Sequence, residues 1–223
     1  LFSSDFIQQL LIAVPAILLA LTFHEVAHGW MADKLGDNTA RMLGRLNLNP
    51  IVHLDPLGTL AFIISMVGGV GFGWAKPVPV NPGNFRHPRR GMMWVALAGP
   101  ATNFILAIIS GFLFSLLRGS GMGYTFVGEP LMLMLRASFT INTALAAFNL
   151  IPILPFDGGR IVMGLLPRRL AWQYSRSEPF GFFIVLGLLL LGVLHTIMMP
   201  IFVALATAEQ VFVLNLLRIF GLA

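Results

Sequence analysis

The sequence predicts an all-α protein that crosses a membrane several times, and three observations carry that prediction. Of 223 residues, 57% are hydrophobic and only 10% are charged, and the mean hydropathy is +0.85; soluble domains are about 25% charged. Uncharged apolar stretches recur at lengths near the ~20 residues that a helix needs to cross the hydrocarbon core. The 14 Lys and Arg residues gather between those stretches, as loop cations beside a membrane do. For the same reason the net charge of +5 and the pI near 10.7 fit membrane flanks better than a nucleic-acid partner. There are no cysteines, which excludes disulfides, thiolate metal sites and a cysteine nucleophile. With no internal repeat and no low-complexity linker, residues 1–223 read as one transmembrane domain.

The elements follow in order. A first helix is expected over 6–31, a retained span because the opening run has neither a basic n-region nor a small-residue cleavage site. Residues 53–90 are expected to hold a re-entrant segment and an edge strand. Within them, the apolar part of 57–74 is about 16 residues, or ~24 Å as a helix, short of the ~30 Å core. Gly68, Gly69, Gly71 and Gly73 weaken its end further. The following "AKPVPVNPGNFRHPRR" has prolines that exclude a helix interior or a central strand, leaving an extended edge segment over Lys76, Pro77, Val78, Pro79 and Val80. Spans are then expected at 92–117, at 131–152 with only Arg136 inside, and at 180–199 and 201–220, divided by Pro200. That makes about five in all.

The chemistry is concentrated in "LTFHEVAHGW". His24 and His28, at i and i+4, project from one face of a helix, with Glu25 one position round. Two imidazole ligands and a general base in this spacing suit a zinc hydrolase. The bland alternative is a pair of core histidines satisfied by neighbouring helices. However, two histidines and a glutamate inside a span are costly, which makes an intramembrane function the default. A catalytic zinc needs a third protein ligand. Lys34 stands where a metzincin would place it, and no downstream Asn-Glu pair offers a thermolysin-type glutamate. Asp157, in "FNLIPILPFDGGR" at the end of a span, is the candidate. A carboxylate on broken backbone at membrane depth is tolerated where it lines a cavity or binds an ion. Simple helix-ending turn chemistry is compatible with that role.

The helix-borne HExxH, "LAGPATNFILA" and "FNLIPILPFDGGR" together resemble the site-2 protease family of intramembrane zinc metalloproteases. "NPIVHLDPLGT" and "GWAKPVPVNP" are similar to its short prokaryotic branch, without a PDZ or CBS domain. The resemblance implies one Zn²⁺ per chain held by His24, His28 and Asp157, with Glu25 as base and Asn149 holding substrate or the oxyanion. It also implies a transmembrane protein or peptide as substrate, cleaved in regulated intramembrane proteolysis, with homo-oligomerisation left open.

Convergence of the three ligands also constrains topology, because the C-terminal ends of the helix with His28 and of the helix before Asp157 must lie toward one face. Residues 57–74 therefore should not cross. Eleven of the 14 cations then share that face, which places the active site on the cytoplasmic side of the cell membrane. If both last helices cross, the N-terminus lies outside and the C-terminus inside. Trp30, Trp74, Trp94 and Trp172 fall at the same interface. Lys76 to Val80 could bind an unwound substrate by strand addition, or form an inert loop whose prolines block aggregation. Asn103 and Asn142 read as interhelical hydrogen bonds, and His53 with Asp55 as a helix-start turn. His195 and Glu209 are expected to be paired or to face an aqueous crevice. A transporter would spread ionisable groups over several spans and repeat a half; a scaffold would not need Glu25.

Overall fold

A computed structural model describes residues 4–67 and 73–222. The elements are α1 (Ser4–Lys34), a single turn α2 (Thr39–Met42), α3 (Pro56–Val67), α4 (Pro88–Gly119), α5 (Gly128–Asn149), α6 (Asp157–Leu165), α7 (Arg168–Ser175), α8 (Gly181–Leu190) and α9 (Val193–Ile219). Among the described residues there is no strand, only an isolated antiparallel bridge between Leu54 and Ala75. The all-α polytopic class holds. Four of the helices, α1, α4, α5 and α9, are long and apolar enough to cross a membrane.

The expected division at Pro200 is corrected. Pro200 lies inside α9, and the chain turns instead at Gly192, whose φ of +70° is a conformation glycine adopts without strain. Proline inside a membrane helix is tolerated, and Pro15 and Pro100 also lie within helices. In place of two spans at 180–199 and 201–220 there is α8, with 10 residues and so ~15 Å long, and one span, α9. The other boundaries also move. α1 and α4 extend beyond 6–31 and 92–117, α4 starting at Pro88 because proline suits a first helical position. α5 ends at Asn149, not at 152.

Side-chain contacts give the helix directions. Val95 meets His28, and Asn103 meets His24 and Ala20, so α4 runs antiparallel to α1. Asn103 meets Asn142 and Ser110 meets Ser138, so α5 is antiparallel to α4 and parallel to α1. Glu209 meets Thr143, and Phe220 lies 6.1 Å from Phe112, so α9 runs back beside α5. The chain between α1 and α4 therefore leaves and re-enters the bundle at one end. α3, with 12 residues, reaches ~18 Å. Gly68, Gly69 and Gly71 lie outside the described residues. With α9 as the last span, both ends of the bundled chain lie at the end opposite the site, unlike the arrangement expected for five spans.

Small residues let these helices approach closely: Ala20, Ala32, Ala96, Ala107, Ala146 and Ala147 are all almost fully buried. In lipid such close packing replaces the hydrophobic drive that water would supply. Larger side chains fill the site end, where Phe85 and Val95 pack with Ala32, and Ile151 with Val185 and Leu194.

Candidate metal centre

His24 and His28 lie one turn apart on α1, and Asp157 is the first residue of α6. The chain between α5 and α6 brings the carboxylate back to the histidines. Pro152 and Pro155 cannot continue the helix, and tight turns replace it, with the Ile153 N–H donating to the Ile151 carbonyl and Phe156 to Ile153. A Cβ on Gly158 would fall 2.3 Å from the Leu150 carbonyl oxygen, and one on Gly159 2.6 Å from the Leu154 nitrogen. The two glycines therefore act by letting α6 start against the backbone of the preceding turn. Ile151 and Leu154, both buried, anchor that turn.

The Nε2 atoms of His24 and His28 are 3.0 Å apart, and each lies 3.3 Å from Asp157 Oδ2. A tetrahedral zinc with ligands at ~2.0–2.1 Å sets its ligand atoms ~3.3–3.4 Å apart. Two imidazoles and a carboxylate are also the donor types zinc takes. Asp157 Oδ2 is buried without a hydrogen-bond partner, as an oxygen reserved for an ion would be. The residues fit a zinc ion.

The surroundings orient the two imidazoles. His28 Nδ1 donates to the Val95 carbonyl at 2.7 Å, and His24 Nδ1 lies 2.6 Å from Asn103 Oδ1. Gly99, between these two on α4, leaves the space that the imidazoles occupy. Glu25 is buried, and its Oε2 accepts from the Val78 N–H at 2.9 Å. Lys76 donates its N–H to the His53 carbonyl and accepts from Arg45. Asp37 secures the next part of the loop, accepting from the N–H and hydroxyl of Thr39, the Asn81 N–H and the Asn84 amide. Burial would raise the Asp37 carboxyl; these hydrogen bonds outweigh it and lower its pKa.

The structure thus brings His24, His28 and Asp157 together, and ties Glu25 to the segment 76–80. Asn149 is placed otherwise, with its amide donating to the Leu145 carbonyl one turn back in its own helix. Asp55 accepts from Gly58 at the start of α3, and His53 Nε2 lies 2.6 Å from the Asn47 carbonyl. Asp55 belongs to the turn that starts α3, whereas His53 ends the preceding turn of Pro50–His53 and holds the loop at Asn47. His195 is exposed, whereas Glu209 is fully buried and accepts from Thr143. Sequence reasoning missed Gly99 and the Val95 carbonyl, and saw only the interhelical half of Asn103. The available signal was Gly99-x-x-x-Asn103, an i, i+4 pair that mirrors the histidine pair.

The sequence profile of peptidase family M50 matches residues 125–192. The Bacillus subtilis protein named "Putative zinc metalloprotease YwhC" is 40% identical over 176 residues, which cover 78% of this chain and 78% of that protein. Zinc metalloprotease MJ0392 of Methanocaldococcus jannaschii is 27% identical over 197 residues, covering 86% of this chain and 47% of that protein. No solved structure matches. With its apolar helices and a His-His-Asp group of metal-binding geometry, the chain belongs to peptidase family M50, the site-2 protease family, and is a multi-pass membrane zinc metalloprotease.

Proposed function

We propose that the chain is an intramembrane endopeptidase, hydrolysing peptide bonds within or near transmembrane segments of other membrane proteins. The observation that carries this reading is the convergence of His24 Nε2, His28 Nε2 and Asp157 Oδ2 within 3.0–3.3 Å of one another on helices apolar enough to cross a membrane. These three residues would hold one zinc ion, which when bound polarises a scissile carbonyl and acidifies water. Glu25 takes the proton of the attacking water and passes it to the leaving amine. To do so its carboxylate exchanges the Val78 N–H for that water. Asn149 reaches substrate by releasing the Leu145 carbonyl. Residues 53–90 do not cross the bilayer, and the cation-rich end of the bundle, with the site, faces the cytoplasm.

A helical substrate must unwind to be cut, and its freed backbone groups need partners where water is scarce. The segment 76–80 can meet only part of that need. Pro77 and Pro79 have no N–H, and that of Lys76 is donated to the His53 carbonyl, which leaves the Val78 N–H, released by Glu25, as a donor. The segment therefore offers an unwound substrate chiefly carbonyl oxygens, and substrate N–H groups do most of the pairing.

The test uses Glu25→Gln, which removes the proton acceptor and spares the three ligands. The unaltered and substituted proteins are reconstituted in liposomes with a helix-destabilised transmembrane peptide, and zinc is measured on the same samples. Zinc content should hold while cleavage falls by ~10²–10⁴. Undiminished cleavage at full zinc content would remove Glu25 from the mechanism, and absence of cleavage by either protein would refute the intramembrane reading.

A further inference from the structure

The contact between Asn103 and His24 is more specific than helix-to-helix adhesion requires. Asn103 is fully buried on α4, and each polar atom of its amide has a partner. The Oδ1 lies 2.6 Å from His24 Nδ1, while the Nδ2 donates to the Ala20 carbonyl at 3.2 Å and to Asn142 Oδ1 at 2.8 Å. A backbone carbonyl only accepts, so Ala20 fixes which end of the amide faces it. Asn142 is held in the same way, its Nδ2 donating to the Ser138 carbonyl at 2.9 Å, which leaves its Oδ1 toward Asn103. Two carbonyls on two helices thus set the polarity of a pair of amides. A flipped Asn103 would put oxygen against oxygen at Ala20 and at Asn142.

We propose that Asn103 is a positioning residue of the zinc centre, forcing His24 to carry its proton on Nδ1 and to present an unprotonated Nε2 to the metal, with Asn142 preventing the amide from turning over. Once the Asn103 oxygen is fixed, His24 Nδ1 has to be the donor, and a neutral imidazole then has its lone pair on Nε2. That is the nitrogen 3.3 Å from Asp157 Oδ2. His28 reaches the same tautomer by another route, through the Val95 carbonyl. A backbone acceptor cannot be lost by substitution. The Asn103 acceptor can, so the His24 side of the centre depends on side chains from α4 and α5.

This inference rests on the zinc assignment above, and the experiment separates the two. Zinc affinity is measured by competition with a chromophoric chelator, on protein in detergent, for His24→Ala, Asn103→Leu, Asn103→Asp and Asn142→Leu, with helix melting followed on each. His24→Ala tests the assignment itself, since undiminished zinc binding there would sink it. Asn103→Leu removes the acceptor and should weaken zinc by ~10–100-fold, the usual cost of losing a ligand's outer partner. Asn103→Asp keeps an acceptor for Nδ1 but loses both Nδ2 donations, so it should restore most of the affinity while melting earlier. Asn142→Leu leaves Ala20 to orient the amide and should fall between. An amide that only binds helices together predicts the reverse, with Asp as damaging as Leu and zinc following melting. The proposal is overturned if folded Asn103→Leu binds zinc normally. It is also overturned if Asn103→Asp loses ~10-fold or more, and that arm still decides should the Leu variant not fold.

Discussion

A methyl group at position 99 should damage the metal centre more than the fold. The Cβ of Gly99→Ala would stand 2.5 Å from Cε1 and Nε2 of His28 and 2.6 Å from Cε1 of His24, against about 3.4 Å for an ordinary contact. Something must therefore yield by about 0.9 Å. α4 cannot simply retreat, because it carries the Val95 carbonyl and Asn103 that hold the same two rings. If the rings move instead, they leave positions that metal sites keep to within about 0.2 Å. Either way the ligands are displaced, and zinc affinity should fall by at least ~10–100-fold. Overpacking should cost the fold only ~1–3 kcal/mol. The assay is chelator competition alongside thermal melting in detergent. Gly187→Ala in α8 is the control, since its Cβ meets nothing within 4 Å and helix propensity alone favours it by ~0.5–1 kcal/mol. Zinc bound as tightly by Gly99→Ala as by the unaltered chain would refute the packing argument.

Other expectations concern the loop end and the topology. Asp37→Ala removes four hydrogen bonds to a buried carboxylate and should destabilise the protein by ~1–3 kcal/mol. Because the folded state lowers the Asp37 pKa, its contribution is complete above the unfolded value of ~3.9 and is lost as pH falls through the folded one. Melting temperature should therefore drop, as pH falls below about 4, more steeply for the unaltered chain than for Asp37→Asn; parallel curves would exclude Asp37 as the cause. The chain has no cysteine, so single cysteines at Asn38, Arg86 and Ser120, all exposed, can be labelled from either side of the membrane. The first two should label from one face and Ser120 from the other, and opposite labelling of Asn38 and Arg86 would show that the intervening chain crosses.

The sequence made His24, Glu25, His28 and Asp157 legible for different reasons. The histidine spacing is a property of one helix, readable over five residues. Asp157 emerged because a carboxylate on proline-broken backbone at the end of a span is tolerated only beside a cavity or an ion. The support around them could not be read in that way. Whether Asn103 reaches His24 depends on the register of α4 against α1, and no local pattern states the register of two helices whose contacting residues are 79 positions apart. Pro200 misled for a related reason. Its helix-breaking tendency is real in water, but a membrane helix can tolerate a proline, α9 continues through it, and the turn fell where Gly192 could adopt a positive φ. Asn149 is recognisable by motif alone, and its contact with Leu145 shows how little a motif says about where an amide rests.

The facing i, i+4 pairs on α1 and α4 have a consequence for how the protein matures. Gly99 clears both imidazoles while Asn103 engages one of them. A slip of one helical turn, ~5.4 Å, would remove the clearance from one ring and carry the amide past its histidine. Only one alignment of the two helices therefore presents the complete group of residues that could hold a metal. If this group holds the zinc, capture of the ion would inspect the assembled bundle, since a chain whose helices have docked out of step would have no competent centre to fill. Metallation would mark correctly inserted molecules and leave misassembled ones without hydrolytic power.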